Sequence, residues 1–201
     1  MPLLIATALP DIAKPPAWLT FPDVRPPWIR LWANTQDDEI ALVVATLASF
    51  NGPLEGDRAA TPEELEADSE LALPGGLAAV DGNLTILPSC CAGLETWREW
   101  LDLVSGGETP WLGHDPAPWV ERSHDGFTVW SDGGLGDPPA APLVSVRFSP
   151  DAFASGIALV QADLRDFVSR LSNWSVTRMP TAGTRLSAAF ARNFGIVRGD
   201  A

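Results

Sequence analysis

A chain of 201 residues with 46% hydrophobic side chains has material for one core, or one domain with a modest appendage, and is too apolar for the disordered class. Thirteen basic against twenty-six acidic residues leave a net charge of −13, a field that repels nucleic acid and anionic membrane and attracts basic partners. No apolar run approaches the roughly 18 residues that a membrane span needs, and the apolar start (Met1 to Pro10) has no basic flank and meets Pro10 and Asp11 at once. It reads as an edge strand or packed arm rather than a signal peptide, which favours a bacterial-type cytoplasm.

Residues 1–34 carry Pro-Pro pairs at 15–16 and 26–27, interleaved with Trp18, Phe21, Trp28 and Trp32. Proline removes backbone donors and restricts its predecessor, so the segment forms no long helix. Its aromatics predict an extended arm packed on a single domain spanning 1–201. Thr35-Gln-Asp-Asp38 reads as a helix cap followed by apolar residues to Phe50, with Asn51-Gly52 as the stop, although the β-branched Val43-Val44 leaves a strand as the competing reading. Thr61-Pro62-Glu63-Glu64 is a second helix start, with proline at the first helical position and acids facing the helix dipole. That helix runs to about Leu71.

Leu77 to Leu87, broken by Asp81-Gly82-Asn83, predicts a hairpin. Leu94, Trp97, Leu101 and Val104 then fall on one face of a helix ended by Gly106-Gly107. Pro118 to Trp130 reads as a second hairpin turning at Ser123-His-Asp-Gly126. A Gly/Pro-rich loop over 133–142 leads to a strand at 143–148 that can join both hairpins in one sheet. Ser149-Pro150-Asp151 opens the longest helix, whose apolar stripe is Phe153, Ile157, Val160, Leu164, Phe167, Val168, Leu171 and Trp174. After Pro180 a last helix covers about 183–193 with Leu186, Ala189 and Phe190 inward, and Arg185 and Arg192, seven apart, pointing the same way. The class is α+β: an antiparallel sheet of about five strands, two hairpins and one further strand, packed with about five helices, two of them C-terminal.

The charge is uneven. Residues 34–70 hold ten acids and one base, whereas residues 141–201 hold four acids and seven bases. Asp37, Asp38, Glu39, Glu63, Glu64, Glu66 and Asp68 are therefore the expected contact residues for a basic protein partner, beside the plainer reading of a solvated face. Asp37 to Glu39 serve the helix dipole, and no second acidic set is spaced for Mg²⁺ or Ca²⁺.

The densest local motif is Pro88-Ser-Cys-Cys-Ala-Gly-Leu-Glu-Thr-Trp97, joined in sequence by Leu112-Gly-His-Asp-Pro-Ala-Pro-Trp119. A disulfide between neighbouring cysteines is strained and rare, so Cys90 and Cys91 read as free thiols, which suits a reducing compartment. Without a nearby His or Cys in sequence they form no zinc framework, and no metal or cofactor is expected. No phosphate-binding glycine loop occurs.

Two readings of the motif compete. As chemistry, Cys90 or Cys91 at a helix start is the nucleophile and His114, oriented by Asp115 or another acid, is its base. As structure, the cysteines are small buried hydrophobes with Trp97, Trp100, Trp111 and Trp119 packed around them, and His114-Asp115-Pro116 is a satisfied turn. His124, in a turn, is expected at the surface.

The Pro-Ser-Cys-Cys-Ala-Gly-Leu-Glu-Thr-Trp and Leu-Gly-His-Asp-Pro-Ala-Pro-Trp runs resemble segments of uncharacterised proteins of high-GC bacteria, some similar to immunity proteins of polymorphic toxin systems. The resemblance spans about residues 75–131 and brings no catalytic residues. It implies a non-catalytic binding protein that neutralises a basic toxin, a role that acidity suits because electrostatic steering speeds capture. The alternatives are a thiol-dependent enzyme using Cys90 or Cys91 with His114, and a structural or regulatory oligomer that uses exposed Trp of the N-terminal arm, with Arg185 and Arg192 of one copy meeting the acidic third of another.

Overall fold

The computed structural model describes residues 1–136, 142–179 and 183–196. Among these residues the class is α+β, with seven strands in two antiparallel sheets and five helices. The strands are β1 (Leu3–Ala8), β2 (Ile29–Arg30), β3 (Gly75–Asp81), β4 (Leu84–Ile86), β5 (Trp119–Ser123), β6 (Gly126–Trp130) and β7 (Ser145–Phe148). The helices are α1 (Asp37–Phe50), α2 (Pro62–Ala67), α3 (Glu99–Val104), α4 (Pro150–Arg178) and α5 (Gly183–Asn193). One sheet has the order β2-β1-β3-β4 and the other β5-β6-β7. Parts of the 133–142 loop and of the linker after Pro180 lie outside the described residues. Among the described residues no helix is long and apolar enough to cross a membrane.

The chain divides into two compact units. The first comprises residues 1–7 and 75–162. The N-terminal strand is interior rather than at an edge, and its residues Leu4 to Ala8 are all buried, as a strand covered on both faces requires. It runs opposite to β3: the Met1 ammonium lies 3.2 Å from Asp81, and the buried Thr7 hydroxyl donates to the Gly76 carbonyl at 3.0 Å. β3 and β4 form the expected hairpin, with Asp81 opposite Leu84 and a two-residue Gly82-Asn83 turn. β5 and β6 pair from Trp119–Trp130 to Ser123–Gly126, and β7 continues the meander as a separate sheet. Phe153 of α4 closes the core of this unit. Its ring stacks on Phe127 at 4.0 Å between centroids, lies 5.8 Å from Trp100, and meets Phe148 edge-on. At Gly156, one turn on, a β-carbon would lie 3.4 Å from the Leu4 side chain, an ordinary packing contact between α4 and β1.

The helix expected from Leu94 is broken. A 3-10 turn (Leu94–Thr96) precedes α3, and the buried residues are Leu94, Trp97, Trp100 and Leu103, while Val104 is exposed. The expected face through Leu101 and Val104 assumed 3.6 residues per turn. The 3-10 start, at 3.0 residues per turn, puts every third residue on one line instead.

The second unit comprises residues 8–74 and 163–201. The cap of α1 is Gln36, not Thr35: the Glu39 carboxylate accepts from the Gln36 amide at 2.8 Å, while the Thr35 hydroxyl is turned back toward the Arg30 and Trp32 carbonyls. Ile40 through Ser49 are all buried. α2 has the expected Thr61 cap and ends at Asp68. Asn51 and Asn193 clamp the segment after it. Asn51 bonds both the amide and the carbonyl of Ala72, and Asn193 accepts from the Leu71 amide while donating to the Asp68 carbonyl. Phe167, Phe190 and Phe194 form the aromatic centre. Asp163, on the polar side of α4 by periodicity, is 8% exposed and pairs with Arg30 at 2.7 Å, and Arg30 also lies over the Trp32 ring.

Candidate functional site

The two loops that carry the Cys-Cys and Gly-His-Asp-Pro runs meet in space, both within the first unit. The Ser89 amide donates to the Leu112 carbonyl at 2.9 Å and the His114 amide to the Cys90 carbonyl at 3.1 Å, so residues 89–90 run antiparallel to 112–114. The Ser89 hydroxyl adds a third tie, donating to the Pro116 carbonyl at 2.6 Å. On the other side of the cysteines, the Ala92 amide returns to the Ser89 carbonyl, and the Ala92 carbonyl accepts from the Gly75 amide at the start of β3. The sheet thus anchors one end of the turn and the 112–116 loop the other.

The backbone is bent hard to do this. Cys91 has φ of 66° and Asp115 of 57°, both in the left-handed region that non-glycine residues seldom occupy. Gly113 has φ of 98°, and a β-carbon there would sit 2.6 Å from both the Cys90 carbonyl oxygen and the Ser89 hydroxyl. Such positions cost free energy and cluster at sites where geometry serves a purpose.

The bends present a group of reactive side chains. The Cys90 and Cys91 sulfurs are 3.4 Å apart, neither is in a disulfide, and both residues are exposed. One ligand atom each of Cys90, Cys91 and His114 lies within 4.8 Å of the others. His114 Nδ1 is 2.8 Å from the Asp115 carboxylate, which orients the ring and leaves its other nitrogen for a proton or an electrophile. Trp111 stands beside the ring at 6.5 Å, 43% exposed.

The electrostatics run one way. The Cys91 thiol is pulled below its ordinary range, first by its hydrogen bond with Cys90 and then by that with His114. The His114 imidazole is pushed up by the Asp115 carboxylate and next by Cys91. Each stabilises the charged form of the other, the arrangement of a thiolate–imidazolium pair. The expected contribution of a helix dipole falls away, because Gly93 leads into a three-residue 3-10 turn.

Several expectations change. The cysteines are not small buried hydrophobes: Trp97 and Trp100 are buried, but the thiols face outward. Nor do they lack a nearby histidine, since the fold supplies the His114 that the sequence spacing withholds. These two sulfurs and one nitrogen are also a donor set that can hold a soft cation with a position left open. Ser89 and Gly113, which fix the two loops together, escape a reading by residue chemistry; the glycine directly before His114 is the only visible signal. His124 is exposed, as its turn position implies.

The acidic residues lie in the second unit, and most are engaged within it. Asp37 pairs with Arg170 and faces Arg178 at 4.0 Å. Glu39 caps α1, and Glu64 takes Arg58 in a two-pronged bridge at 2.6 and 2.7 Å. Glu66 pairs with Arg185 at 3.2 Å. The Asp68 side chain accepts from the Glu70 amide and its carbonyl from Arg192. Arg185 and Arg192 do point the same way, but toward α2 of their own chain. Asp38 and Glu63 are exposed.

No family model matches this chain, and no curated protein or solved structure does either.

Proposed function

We propose that this protein acts through Cys91 as a nucleophilic thiolate toward a small electrophilic substrate, with His114 as its proton partner, Asp115 orienting the ring, and Cys90 alongside. The observation that carries this reading is the convergence of two exposed sulfurs and an imidazole within 4.8 Å, with a carboxylate on the ring's Nδ1. The ingredients are those of activated-thiol chemistry: a nucleophile, a base within reach, and a group that holds the base. Left-handed backbone at both Cys91 and Asp115 argues that the convergence is maintained against a local cost.

Binding of a basic partner through the acidic segment is carried less far. Five of the seven expected contact acids already hold partners inside the chain, which leaves fewer carboxylates to present. The pairing of Arg185 and Arg192 with α2 likewise engages the charges that self-association between copies was expected to use beside the N-terminal Trp residues.

The test is competitive alkylation. The reduced protein, in buffer containing a metal chelator, is treated with limiting iodoacetamide at a pH where an ordinary thiol is almost fully protonated. Cys91 is expected to react faster than free cysteine, Cys91→Ser to abolish the fast phase, and His114→Ala to slow it. Two thiols that react no faster than free cysteine, or a fast phase that survives Cys91→Ser, would sink the reading.

A further inference from the structure

We infer that Cys90 is the resolving thiol of a hydroperoxide-reducing pair, in which Cys91 takes oxygen from the peroxide and Cys90 closes a disulfide with it. This rests on the reading of Cys91 as the nucleophile and goes beyond it by naming a substrate class and a second step.

The geometry supports each part. The sulfurs sit 3.4 Å apart, so closing to a bond of about 2.05 Å needs no movement of another segment, only side-chain rotation and distortion of the peptide between the two residues. Both are exposed, so a small oxidant reaches them without an opening step. An accessible thiol of thiolate character beside a second thiol is the usual setting of peroxide-sensitive cysteines.

The choice of hydroperoxide over a disulfide substrate comes from strain. Neighbouring residues have α-carbons about 3.8 Å apart across a trans peptide, closer than the roughly 4.4–6.8 Å of ordinary disulfides. A Cys90–Cys91 bond is therefore strained and strongly oxidising. An ordinary disulfide lacks the driving force to form it, whereas the O–O bond of a hydroperoxide has ample. The same strain lets an external thiol reduce the product readily, which restores the pair.

The steps balance. The Cys91 thiolate attacks the terminal oxygen of the hydroperoxide; an S–O bond forms, the O–O bond breaks, and the departing alkoxide takes a proton from the His114 imidazolium and leaves as the alcohol. Cys91 is now a sulfenic acid, its sulfur oxidised by two electrons and the peroxide reduced by two. The Cys90 sulfur then attacks the Cys91 sulfur; an S–S bond forms, the S–O bond breaks, and hydroxide leaves as water with the Cys90 proton. Two equivalents of a low-molecular-weight thiol return both cysteines to the reduced state and are themselves joined as a disulfide.

Intact-mass spectrometry of the full chain after one equivalent of tert-butyl hydroperoxide tests this. Wild-type protein is expected to lose two hydrogens with both thiols gone and no covalent dimer. Cys90→Ser should instead gain one oxygen at Cys91, trapped by dimedone, and Cys91→Ser should show neither change. His114→Ala should slow the first step ~100-fold, the scale of a lost proton donor. Oxidation of Cys91 to sulfinic acid with Cys90 still a free thiol, or a disulfide only between two chains, overturns the resolving role. If iodoacetamide still selects Cys91 in that event, the nucleophile reading stands alone. If neither reagent selects Cys91, both fall. Serine is close to cysteine in size and both positions are exposed, so neither variant disturbs the core, and circular dichroism confirms that each is folded.

Discussion

Gly113→Ala tests whether the loop that carries His114 is fixed by its backbone ties to residues 89 and 90. Two costs add. Alanine at a φ of 98° lies outside the regions open to L-residues, a penalty of about 1–2 kcal/mol. The added β-carbon would also meet the Cys90 carbonyl oxygen and the Ser89 hydroxyl at 2.6 Å and the Ser89 carbonyl carbon at 2.8 Å. Two of these three atoms are backbone, so relief requires the 89–90 and 112–114 segments to separate, at ~1–3 kcal/mol on the scale of overpacking. The sum, about 2–5 kcal/mol, is a large share of a typical domain's stability. Gly82→Ala is the control: its φ is 59° but nothing lies within 4 Å of its missing β-carbon, so it should incur only the first cost. Urea denaturation should show a clearly larger midpoint loss for Gly113→Ala, and limiting iodoacetamide should find Cys91 slowed in that variant and unchanged in Gly82→Ala. Equal midpoints for the two variants, or a Gly113→Ala protein with wild-type stability and wild-type Cys91 reactivity, would refute the claim that this glycine holds the site together.

Single contacts elsewhere have their own consequences. Phe153→Ala empties the centre of the Phe127, Phe148 and Trp100 cluster and should destabilise the first unit by ~3–5 kcal/mol in urea unfolding. Asn51→Ala strips partners from the Ala72 amide and carbonyl and should cost about 1–3 kcal/mol, with faster amide hydrogen exchange at Ala72. The Glu64 carboxyl is held at about 2 by the Arg58 guanidinium and then the Thr61 amide, against an ordinary 4.5. A lowered carboxylate stabilises the fold above its unfolded value and ceases to as pH falls from 4.5 toward 2. NMR titration of this carboxyl should therefore show a midpoint near 2 that rises in Arg58→Ala; a wild-type midpoint near 4.5 would contradict the bridge.

Much of the fold was legible because periodicity and cap chemistry are local. The stripe from Phe153 to Trp174 is buried as its spacing demands, and Thr61-Pro62-Glu63-Glu64 opens a helix because the Thr61 and Glu64 side chains each accept from the other's backbone amide while Pro62 has no amide to satisfy. The failures have physical causes. Thr35 has the chemistry of a cap, but its hydroxyl is used by the preceding turn, so Gln36 takes the position. The helix from Leu94 begins as a 3-10 turn, which shifts its inward face in a way no 3.6-residue pattern encodes. Seven strands form two sheets because Leu3–Ala8 inserts beside β3, a long-range pairing that its apolar composition permits without specifying. The site was half visible. Both loops stand out in the sequence, but that His114 meets Cys91 depends on three hydrogen bonds between segments more than twenty residues apart.

Charge gives the last constraint. The internal ion pairs of the acidic segment cancel local fields, yet they leave the net charge of −13 untouched. At long range the protein still repels anions, and the repulsion fades beyond about 8 Å at physiological ionic strength. A thiolate site on such a molecule therefore discriminates by substrate charge before any contact is made. Neutral hydroperoxides approach unhindered, while anionic oxidants meet a barrier that added salt lowers. The oxidation rate of Cys91 by tert-butyl hydroperoxide should be flat between low and high salt, whereas the rate with peroxymonosulfate, an anionic peroxide, should climb with salt. An anionic peroxide whose rate does not change with ionic strength would show that the global field does not reach the site and that selection among oxidants is made by the Cys90, Cys91 and His114 cluster alone.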